Sequence, residues 1–568
     1  MTTKRLPLAY LLLLSILFSA LPLTAVAQRE RRTEAQQQAP VAQPSPSPSP
    51  LASPSPSPSP AIKITPAQTL PELQAKISEI LARPELASAM VGIKVESLDN
   101  GRVLFEENAH KLLRPASNMK LYTVAAALDR LSPDYRFTTT VLGAKLPDMS
   151  GVVRGDVIIH GQGDPTFAAR FNNGDYFKGI DNLAARIVSA GVKRIEGDLV
   201  GDESYFVGPK YGSGWEWEDL TWYYGAEISS LTVNDNALDL FIKPGRDVGQ
   251  PASITTGPPD PLLTIVNKVT TAARGTRREL NVYRGLGENT VTIVGSVPLD
   301  DAGYTGAIGI SHPALLFIYL LRSSLAQKGV VITGKSRTTG SNSQPLMLPS
   351  IRIGTDPIEA IQPAKPSGYQ ITTLESVPFS VIAAQTLKPS QNLYTELILR
   401  TLGTMTPAPP EMSPLRRTSE NLGLEAVKSF LKTAGIRPES LVLDDGSGLS
   451  RSDMITAEAS VQLLVFMNKH RYAQVFRDAL PIAGVDGTLR NRMRGTAAQN
   501  NVRAKTGSLS SAASLGGYVT TAAGEKLAFS ITVNNYPRDV DARSLCLDPI
   551  TVLLASFAGK PDSSDSHK

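Results

Sequence analysis

Short runs of β-branched and apolar residues, bounded by turn residues, lie near both ends of the chain and predict β-strands. At the amino-terminal end, strands are expected over 90–97 and 102–106, joined by an Asn-Gly turn. At the other end, 516–521 and 526–533 flank Ala-Ala-Gly-Glu and predict a second hairpin. Each end of the chain therefore contributes a pair of antiparallel strands.

Apolar residues at helical spacing predict helices between these strands. The expected helices are 70–82, 118–131, 379–387, 393–402, 424–433 and 457–469. Strands at both ends with helices between them favour one antiparallel sheet, formed from both ends of the chain and covered by helices. This arrangement is an α+β fold.

The region 138–335 has a different pattern, because short β-type runs there are separated by Gly, Asp and Pro. All three Trp residues also lie in this region, within 215–222. We interpret 138–335 as an inserted, mostly β accessory domain. The main domain is then discontinuous and consists of 66–137 and 336–560. The β-type runs of the insert include 152–160, 238–242 and 290–294.

The amino terminus has the pattern of an export signal. Lys4 and Arg5 precede an apolar run over 6–23, and Ala-Val-Ala at 25–27 supplies the small-x-small pattern that a signal peptidase recognises. We predict a signal peptide over 1–27. An uncleaved membrane anchor is the alternative, since the run approaches the length of a membrane span.

The segment that follows, 28–65, is polar and then alternates Pro with Ser. Such a tract cannot bury a core and favours extended polyproline II, so we predict a disordered linker. The linker is either a spacer or a disordered leader that has no function of its own. A polar tail is expected over 561–568.

Composition narrows the possible chemistry. The first 66 residues hold six of the 57 basic and two of the 52 acidic residues, which leaves 51 basic and 50 acidic residues in the rest. This near neutrality argues against a nucleic-acid-binding protein. One Cys excludes a disulfide framework, and five scattered His residues contain no zinc-protease pattern. We expect no metal and no cofactor, so catalysis would depend on Ser, Lys, Asn and carboxylates.

The first candidate motif is Ser117-x-x-Lys120, at the start of an apolar helix. If Ser117 begins the helix, Lys120 lies one turn later on the same face. A buried Lys favours its neutral form, which could take the proton of the Ser hydroxyl without a His. Ser429-x-x-Lys432 is a second copy, but it lies in an amphipathic stretch and is interpreted as a solvated helix face.

The second motif is Ser390-Gln-Asn392, preceded by Pro389 and followed by a predicted helix. The turn at Pro389 could present Ser390 in a cleft as a proton relay, while the Asn392 amide binds a substrate carbonyl. Capping of the helix by Ser390 is the alternative. A similar triplet beginning at Ser419 fits a helix start better, with Ser419 as its cap.

The third motif, Lys505-Thr506-Gly507-Ser508, occurs once and lies on a predicted strand beside the terminal hairpin. The Lys charge and the Thr hydroxyl would attract a carboxylate, and Gly507 would let a substrate backbone approach closely. The alternative is an edge strand whose Lys prevents aggregation.

Ser-x-x-Lys, Ser-x-Asn and Lys-Thr-Gly, in this order, are the signature of penicillin-interacting serine enzymes. The sequence resembles the class C low-molecular-mass penicillin-binding proteins, the D-alanyl-D-alanine carboxypeptidase/endopeptidases, over roughly 66–560. The resemblance extends to further segments and to the separation of 273 positions from Ser117 to Ser390, where that family has inserted domains. The further segments are Gly161–Phe167, Gly197–Phe206, Gly214–Asp219 and Asp445–Arg451.

This resemblance implies a penicillin-binding/β-lactamase-like transpeptidase fold and a role for each motif residue. Ser117 would be the acylated nucleophile and Lys120 its base. The other catalytic residues would be Ser390, Asn392 and Lys505, and the substrate-binding residues Thr506, Gly507, Ser508, Asp202 and Arg451. The backbone N–H groups of Ser117 and Ser508 would form the oxyanion hole. Ser510 stands where some relatives have Gln.

We therefore expect an exported serine D,D-peptidase that is periplasmic, extracellular or associated with the cell wall. Its partners would be peptidoglycan stem peptides, with β-lactams as covalent inhibitors. A β-lactamase is an alternative, but neither its Glu-x-x-Leu-Asn loop nor an esterase elbow is found in the sequence. The other alternative is a wall-binding or β-lactam-sensing protein that no longer turns over.

Overall fold

The computed structural model describes residues 64–340 and 367–559. The predicted signal peptide, the polar tail and all but the last two residues of the predicted linker lie outside these ranges. No helix in the described ranges is both long enough and apolar enough to cross a membrane.

Within these ranges the chain forms ten α-helices, and all six predicted helices are among them. The helices are α1 Leu70–Leu81, α2 Met119–Leu131, α3 Lys178–Ser189, α4 Pro313–Gln327, α5 Phe379–Leu387, α6 Asn392–Thr404, α7 Ser419–Thr433, α8 Ala457–Lys469, α9 Ala473–Ala479 and α10 Asp548–Ser556.

The same ranges contain 21 β-strands. They are β1 Met90–Ser97, β2 Val103–Glu107, β3 Thr138–Gly143, β4 Val152–Arg154, β5 Val157–Gly161, β6 Arg194–Glu196, β7 Leu199–Asp202, β8 Ala237–Lys243, β9 Ser253–Gly257, β10 Thr264–Ala272, β11 Glu279–Arg284, β12 Thr290–Pro298, β13 Tyr304–Gly309, β14 Val331–Ile332, β15 Ser336–Thr339, β16 Tyr369–Glu375, β17 Leu441–Val442, β18 Met454–Ile455, β19 Arg503–Leu509, β20 Ala512–Thr520 and β21 Lys526–Asn534.

The main sheet joins the two ends of the chain, as the sequence predicts. Its order is β19-β20-β21-β1-β2, and every neighbouring pair is antiparallel. β1 pairs with β21 along its whole length, for example at Ile93 and Ile531, and both of these side chains are fully buried. The α+β expectation is confirmed, and β19, which holds the Lys-Thr-Gly motif, lies at the open edge of the sheet.

Helix α2 is buried on nearly every side. Eleven of its thirteen residues are buried, and Lys120 and Thr123 are among them. An apolar helix of this kind belongs at the centre of a core rather than on its surface. Residues of α5, α6, α7, α8 and α9 surround it in one hydrophobic cluster. The start of α2, where Ser117 lies, is therefore held firmly in place.

The region 138–335 contains more sheets, as expected, but also two helices that the sequence analysis did not predict, α3 and α4. The predicted strand 152–160 is two strands, because the chain turns at Gly155, whose φ is +99°. One five-stranded sheet has the order β15-β7-β5-β3-β16 and thus includes two strands that follow residue 335. The boundaries of the predicted insert stay a prediction.

Two adjacent glycines of β20 differ sharply in the space around them, and this difference gives a test of the sheet. A methyl group on Gly517 would lie 2.2 Å from the Arg503 carbonyl oxygen of β19, whereas one on Gly516 would meet nothing closer than 3.4 Å. We expect Gly517→Ala to lower the free energy of unfolding by about 1–3 kcal/mol through overpacking. Urea denaturation measures this change.

Gly516→Ala is the matched control and should change the free energy of unfolding by less than about 1 kcal/mol. Equal losses in the two variants would contradict the pairing of β19 with β20.

Candidate active site

Ser117 lies on a single 3-10 turn, Ala116–Asn118, that leads directly into α2. The backbone of Ala116 has a φ of +46°, which is unusual for a residue with a side chain. One helical turn later, the Lys120 Nζ donates to the Ser117 Oγ over 3.0 Å. The structure therefore brings the amine to the hydroxyl as the spacing predicts.

Two further oxygens surround the Lys120 amine. It donates to the Asn392 Oδ1 and to the Ser447 carbonyl oxygen, each over 2.6 Å. The side chain is fully buried. Burial lowers the pKa of Lys120 to about 7, although the negative charge of nearby carboxylates, Asp445 above all, acts in the opposite direction. A substantial fraction of the amine is therefore neutral near pH 7.

The second motif lies just before α6. Ser390 has a φ of +64°, and the cap of α6 is Gln391, whose side chain accepts from the Leu393 N–H. The alternative in which Ser390 caps the helix is therefore wrong. Its Oγ instead accepts from the Lys505 Nζ over 2.8 Å. Asn392, the first residue of α6, also donates through its Nδ2 to the Tyr224 carbonyl oxygen at 2.8 Å.

The third motif lies on the edge strand β19. Lys505 is fully buried, and burial together with the nearby charge of Lys120 lowers its pKa well below the usual range. Thr506 donates through its Oγ1 to the Thr488 Oγ1 over 2.8 Å. Gly507 leaves no room for a side chain, because a Cβ would lie 2.1 Å from the Ser514 Oγ and 2.5 Å from the Pro115 carbonyl oxygen. Ser508 is exposed.

The structure thus brings the three motifs together at one place, where α2, α6 and β19 meet. The second Ser-x-x-Lys copy lies elsewhere, with Ser429 and Lys432 exposed on α7, as expected for a solvated face. The expectation that Ser419 caps this helix is wrong. The Thr418 side chain caps α7 by accepting from the Asn421 N–H, and Ser419 is the first helical residue.

Asp445, which holds the loop behind Lys120, was not among the predicted site residues. Its two oxygens accept four backbone N–H groups, the Ser447 hydroxyl and the indole N–H of Trp215. The loop so formed directs the Ser447 carbonyl at the Lys120 amine. Gly448 packs so closely that a Cβ would lie 1.9 Å from the Ala116 carbonyl oxygen. The Asp-Gly-Ser-Gly pattern was the signal for this loop.

A second buried polar group supports the same loop and was also not predicted. Glu396 of α6 accepts from the Gly446 N–H at 3.0 Å and pairs with Arg400 at 3.0 Å. Arg400 lies 3.7 Å from Glu420, which in turn accepts from the backbone N–H and the hydroxyl of Ser213. Burial and the charge of Asp445 raise the pKa of Glu396 to about 8.

Asp202 and Arg451 lie in different surroundings. Asp202 is buried at the end of β7, where its carboxylate bonds the His160 Nδ1 at 2.9 Å and the Ser204 N–H at 3.0 Å. Arg451 ends the Asp445 loop and pairs with Glu216 at 2.8 Å and Asp219 at 3.2 Å. In the described ranges, no hydrogen bond or ion pair joins Asp202 to the motif residues.

Asp219 is a further candidate for substrate binding. The sequence predicted no role for it and marked only its segment, Gly214–Asp219, as similar to the family. Burial raises its pKa, against the effect of the Arg451 guanidinium. The 3-10 turn Asp219–Thr221 is followed at once by a second one, Tyr223–Gly225, which presents the carbonyl that bonds Asn392. In the described ranges, no group of three or more His, Cys, Asp and Glu residues could hold a metal ion.

The chain is similar to known peptidases over most of its length. The family model described as "D-Ala-D-Ala carboxypeptidase 3 (S13) family" matches residues 73–556. A D-alanyl-D-alanine carboxypeptidase of Actinomadura sp. (strain R39) is 33% identical over 501 residues, which cover 86% of each chain. A D-alanyl-D-alanine carboxypeptidase DacB of Haemophilus influenzae is 26% identical over 455 residues, which cover 78% of this chain and 85% of the relative.

The fold also resembles a solved structure, penicillin binding protein 4 (dacB) from Haemophilus influenzae. The TM-score is 0.70 at 23% identity, and the match covers 85% of this chain and 99% of the other. This likeness confirms the predicted penicillin-binding fold.

The buried Arg400 gives a test of the network behind the site. Its guanidinium lies between the buried carboxyl groups of Glu396 and Glu420, so Arg400→Leu leaves both without their positively charged partner. The free energy of unfolding should fall by about 3–5 kcal/mol. Denaturation in urea measures the loss.

Lys428→Leu, on the next helix, is the control, because Lys428 pairs with Glu425 on an exposed surface. It should change the free energy of unfolding by less than about 1 kcal/mol. A loss for Arg400→Leu no larger than this would contradict the buried network.

Proposed function

Because the chain belongs to the D-Ala-D-Ala carboxypeptidase 3 (S13) family, we propose that Ser117 is its acylated nucleophile and Lys120 the general base. The protein is a serine-type D-alanyl-D-alanine peptidase, a class C low-molecular-mass penicillin-binding protein. One observation carries the assignment of roles. Each of two buried lysines contacts a motif serine, Lys120 at Ser117 and Lys505 at Ser390.

The first half-reaction begins with the neutral Lys120 amine. It takes the proton of the Ser117 hydroxyl, and the Oγ attacks the carbonyl carbon of the penultimate D-Ala. The backbone N–H groups of Ser117 and Ser508 stabilise the negative oxygen that forms. The C–N bond then breaks, and the proton taken up by Lys120 passes through the Ser390 hydroxyl to the departing D-Ala nitrogen, which leaves Lys120 neutral again. Lys505 holds Ser390 in place for this transfer by a hydrogen bond to its Oγ. Water hydrolyses the resulting ester and regenerates Ser117.

Lys505 and Thr506 bind the terminal carboxylate of the substrate. Burial and the nearby charge of Lys120 disfavour the ammonium form of Lys505, and a substrate carboxylate would supply the missing opposite charge. Substrate binding therefore favours uptake of a proton by Lys505. Asn392 holds the amide of the substrate while its Oδ1 positions Lys120.

Arg451 and Asp219 form the side of the site toward the peptide stem. The two residues pair with one another. Arg451 ends the loop whose Ser447 carbonyl accepts from Lys120, and Asp219 begins the 3-10 turn just before the turn whose Tyr224 carbonyl accepts from Asn392. Asp219 is the carboxylate that we favour for the free amine of the stem, since Asp202 already bonds His160 and Ser204. The substrate-binding role predicted for Asp202 stays a prediction.

The substrates that fit this chemistry are peptidoglycan stem peptides, cut as a carboxypeptidase or as a D,D-endopeptidase. β-Lactams would acylate Ser117, because their strained amide presents a carbonyl and a carboxylate to the same groups. We further propose that the protein is exported to the periplasm or cell wall. The basic and apolar pattern of its first 27 residues supports this placement.

The nucleophile is tested by comparing two serines that both belong to a Ser-x-x-Lys motif. Ser117→Ala should abolish hydrolysis of a D-Ala-D-Ala peptide and covalent labelling by a fluorescent penicillin. Ser429→Ala, in the exposed copy, should leave both unchanged. Mass spectrometry of a peptidoglycan digest identifies which bonds the wild type cuts.

Labelling of Ser117→Ala at the wild-type rate would contradict the proposal, as would a wild type that hydrolyses the peptide but binds no penicillin. Labelling of the wild type without any hydrolysis would instead support a sensing protein.

The base is tested by the pH dependence of acylation. Because Lys120 acts in its neutral form, the rate should rise with pH through a midpoint of about 7 and then level off. Lys120→Arg, which keeps a permanent charge, should lower the rate by about 10²–10⁴-fold. Stopped-flow labelling with a chromogenic β-lactam measures both.

Lys432→Arg in the exposed copy is the control and should follow the wild-type profile. A flat profile between pH 5 and pH 9 (a range of about two units on either side of the midpoint) would rule out Lys120 as the base.

A further inference from the structure

Two buried carboxyl groups lie together behind the Lys120 amine. Asp445 and Asp453 are both fully buried, and the two residues are in direct contact through the Asp445 N–H, 3.4 Å from the Asp453 Oδ1. The Asp453 Oδ1 accepts from the backbone N–H groups of Asp444 and Asp445. Its Oδ2 is buried and receives no donor from the described part of the protein.

Two ionised carboxylates in this position would repel one another strongly. Both oxygens of Asp445 are occupied by N–H and O–H donors, so Asp445 is well stabilised as the anion. Asp453 has only two backbone donors, and both are at its Oδ1. A proton on the Asp453 Oδ2 would turn the unpartnered atom into a donor and remove the repulsion.

We propose that Asp453 is a protonated carboxylic acid that donates its proton to Asp445, so that the pair carries one negative charge. Asp453 is then a positioning residue for the peptidase reaction, acting through Asp445 and the Ser447 carbonyl on Lys120. Burial and the charge of Asp445 raise the pKa of Asp453 well above its usual range, whereas hydrogen bonds from Asp453 and Trp215 help to lower the pKa of Asp445 against the effect of burial.

Whether Asp445 and Asp453 together carry one or two negative charges matters, because few other charged groups of the described residues face them. Lys120 on α2 faces it, with Lys505 on β19 beyond. Helix α6 contributes Glu396 and Arg400, which pair with one another, and the loop contributes Asp444, which accepts from the Ser450 hydroxyl. A second full negative charge on Asp453 would hold Lys120 as the ammonium ion and weaken it as a base.

Asp453→Asn separates the two possible states, since Asn has almost the shape of the protonated acid. Its Oδ1 can accept the same two N–H groups, and its Nδ2 can donate to Asp445. We expect infrared spectra at neutral pH to lose one carbonyl band of a protonated carboxylic acid relative to the wild type. The midpoint of the acylation pH profile and the unfolding midpoint in urea should stay unchanged.

Asp444→Asn is the matched control, because Asp444 is half-buried in the same loop and accepts from a hydroxyl. It should remove a carboxylate band and leave the acid band in place. The proposal is overturned if Asp453→Asn also removes a carboxylate band. It is equally overturned if Asp453→Asn moves the acylation midpoint to lower pH by on the order of one unit, as loss of a real negative charge would.

The consequence for Lys120 rests on the proposed function, but the infrared measurement does not. Failure of the Ser117 and Lys120 tests would leave the acid band of Asp453 intact. If the wild type lacks the acid band of Asp453 but is acylated normally, the protonation of Asp453 is refuted and the proposed function stands.

Discussion

Burial of two lysine amines within one site is the constraint on which this structure depends. An ammonium group inside a protein must be neutralised, paired or supplied with hydrogen-bond acceptors. The groups that accept hydrogen bonds directly from Lys120 are all neutral: the Ser117 hydroxyl, the Asn392 amide and the Ser447 carbonyl. The carboxyl groups of Asp445 and Glu396 bond the loop that presents the Ser447 carbonyl and make no hydrogen bond to Lys120 themselves. The amine therefore stays close to the balance between charged and neutral forms, which suits a residue that must take up and release a proton in one cycle.

The arrangement explains why so much polar structure lies behind a small catalytic centre. The Ser447 carbonyl can point at Lys120 only because Asp445 orders its loop, and the loop is held in turn by Glu396 and Trp215. Trp215 and Ser213 come from the region between α3 and α4, far from the main sheet in sequence. The region predicted as an insert thus contributes directly to the loop that supports the catalytic lysine.

The sequence predicted the parts of the site that depend on short spacing. Ser117 and Lys120 lie one helical turn apart, and an apolar helix around a lysine indicates burial. Contacts between distant segments could not be predicted in this way. Arg451 and Asp219 are 232 positions apart, and nothing local marks them as partners. Glu396 and Arg400 have the spacing of an exposed helical ion pair, and only the packing around α6 shows that they are buried. Gly155 divides a predicted strand because its positive φ is a backbone property that apolar patterning does not report.

The pairing of β1 with β21 has a consequence for when the enzyme becomes active. Ser117 follows the first strand of the main sheet by only twenty positions, yet β1 has no partner on that side until the chain has been made as far as Asn534. Lys505 and its strand are likewise late products of translation. A nascent chain on the ribosome therefore carries its nucleophile for most of synthesis without an assembled active site. The assembled site therefore needs the chain as far as β21, and a chain that ends before β19 lacks Lys505 altogether.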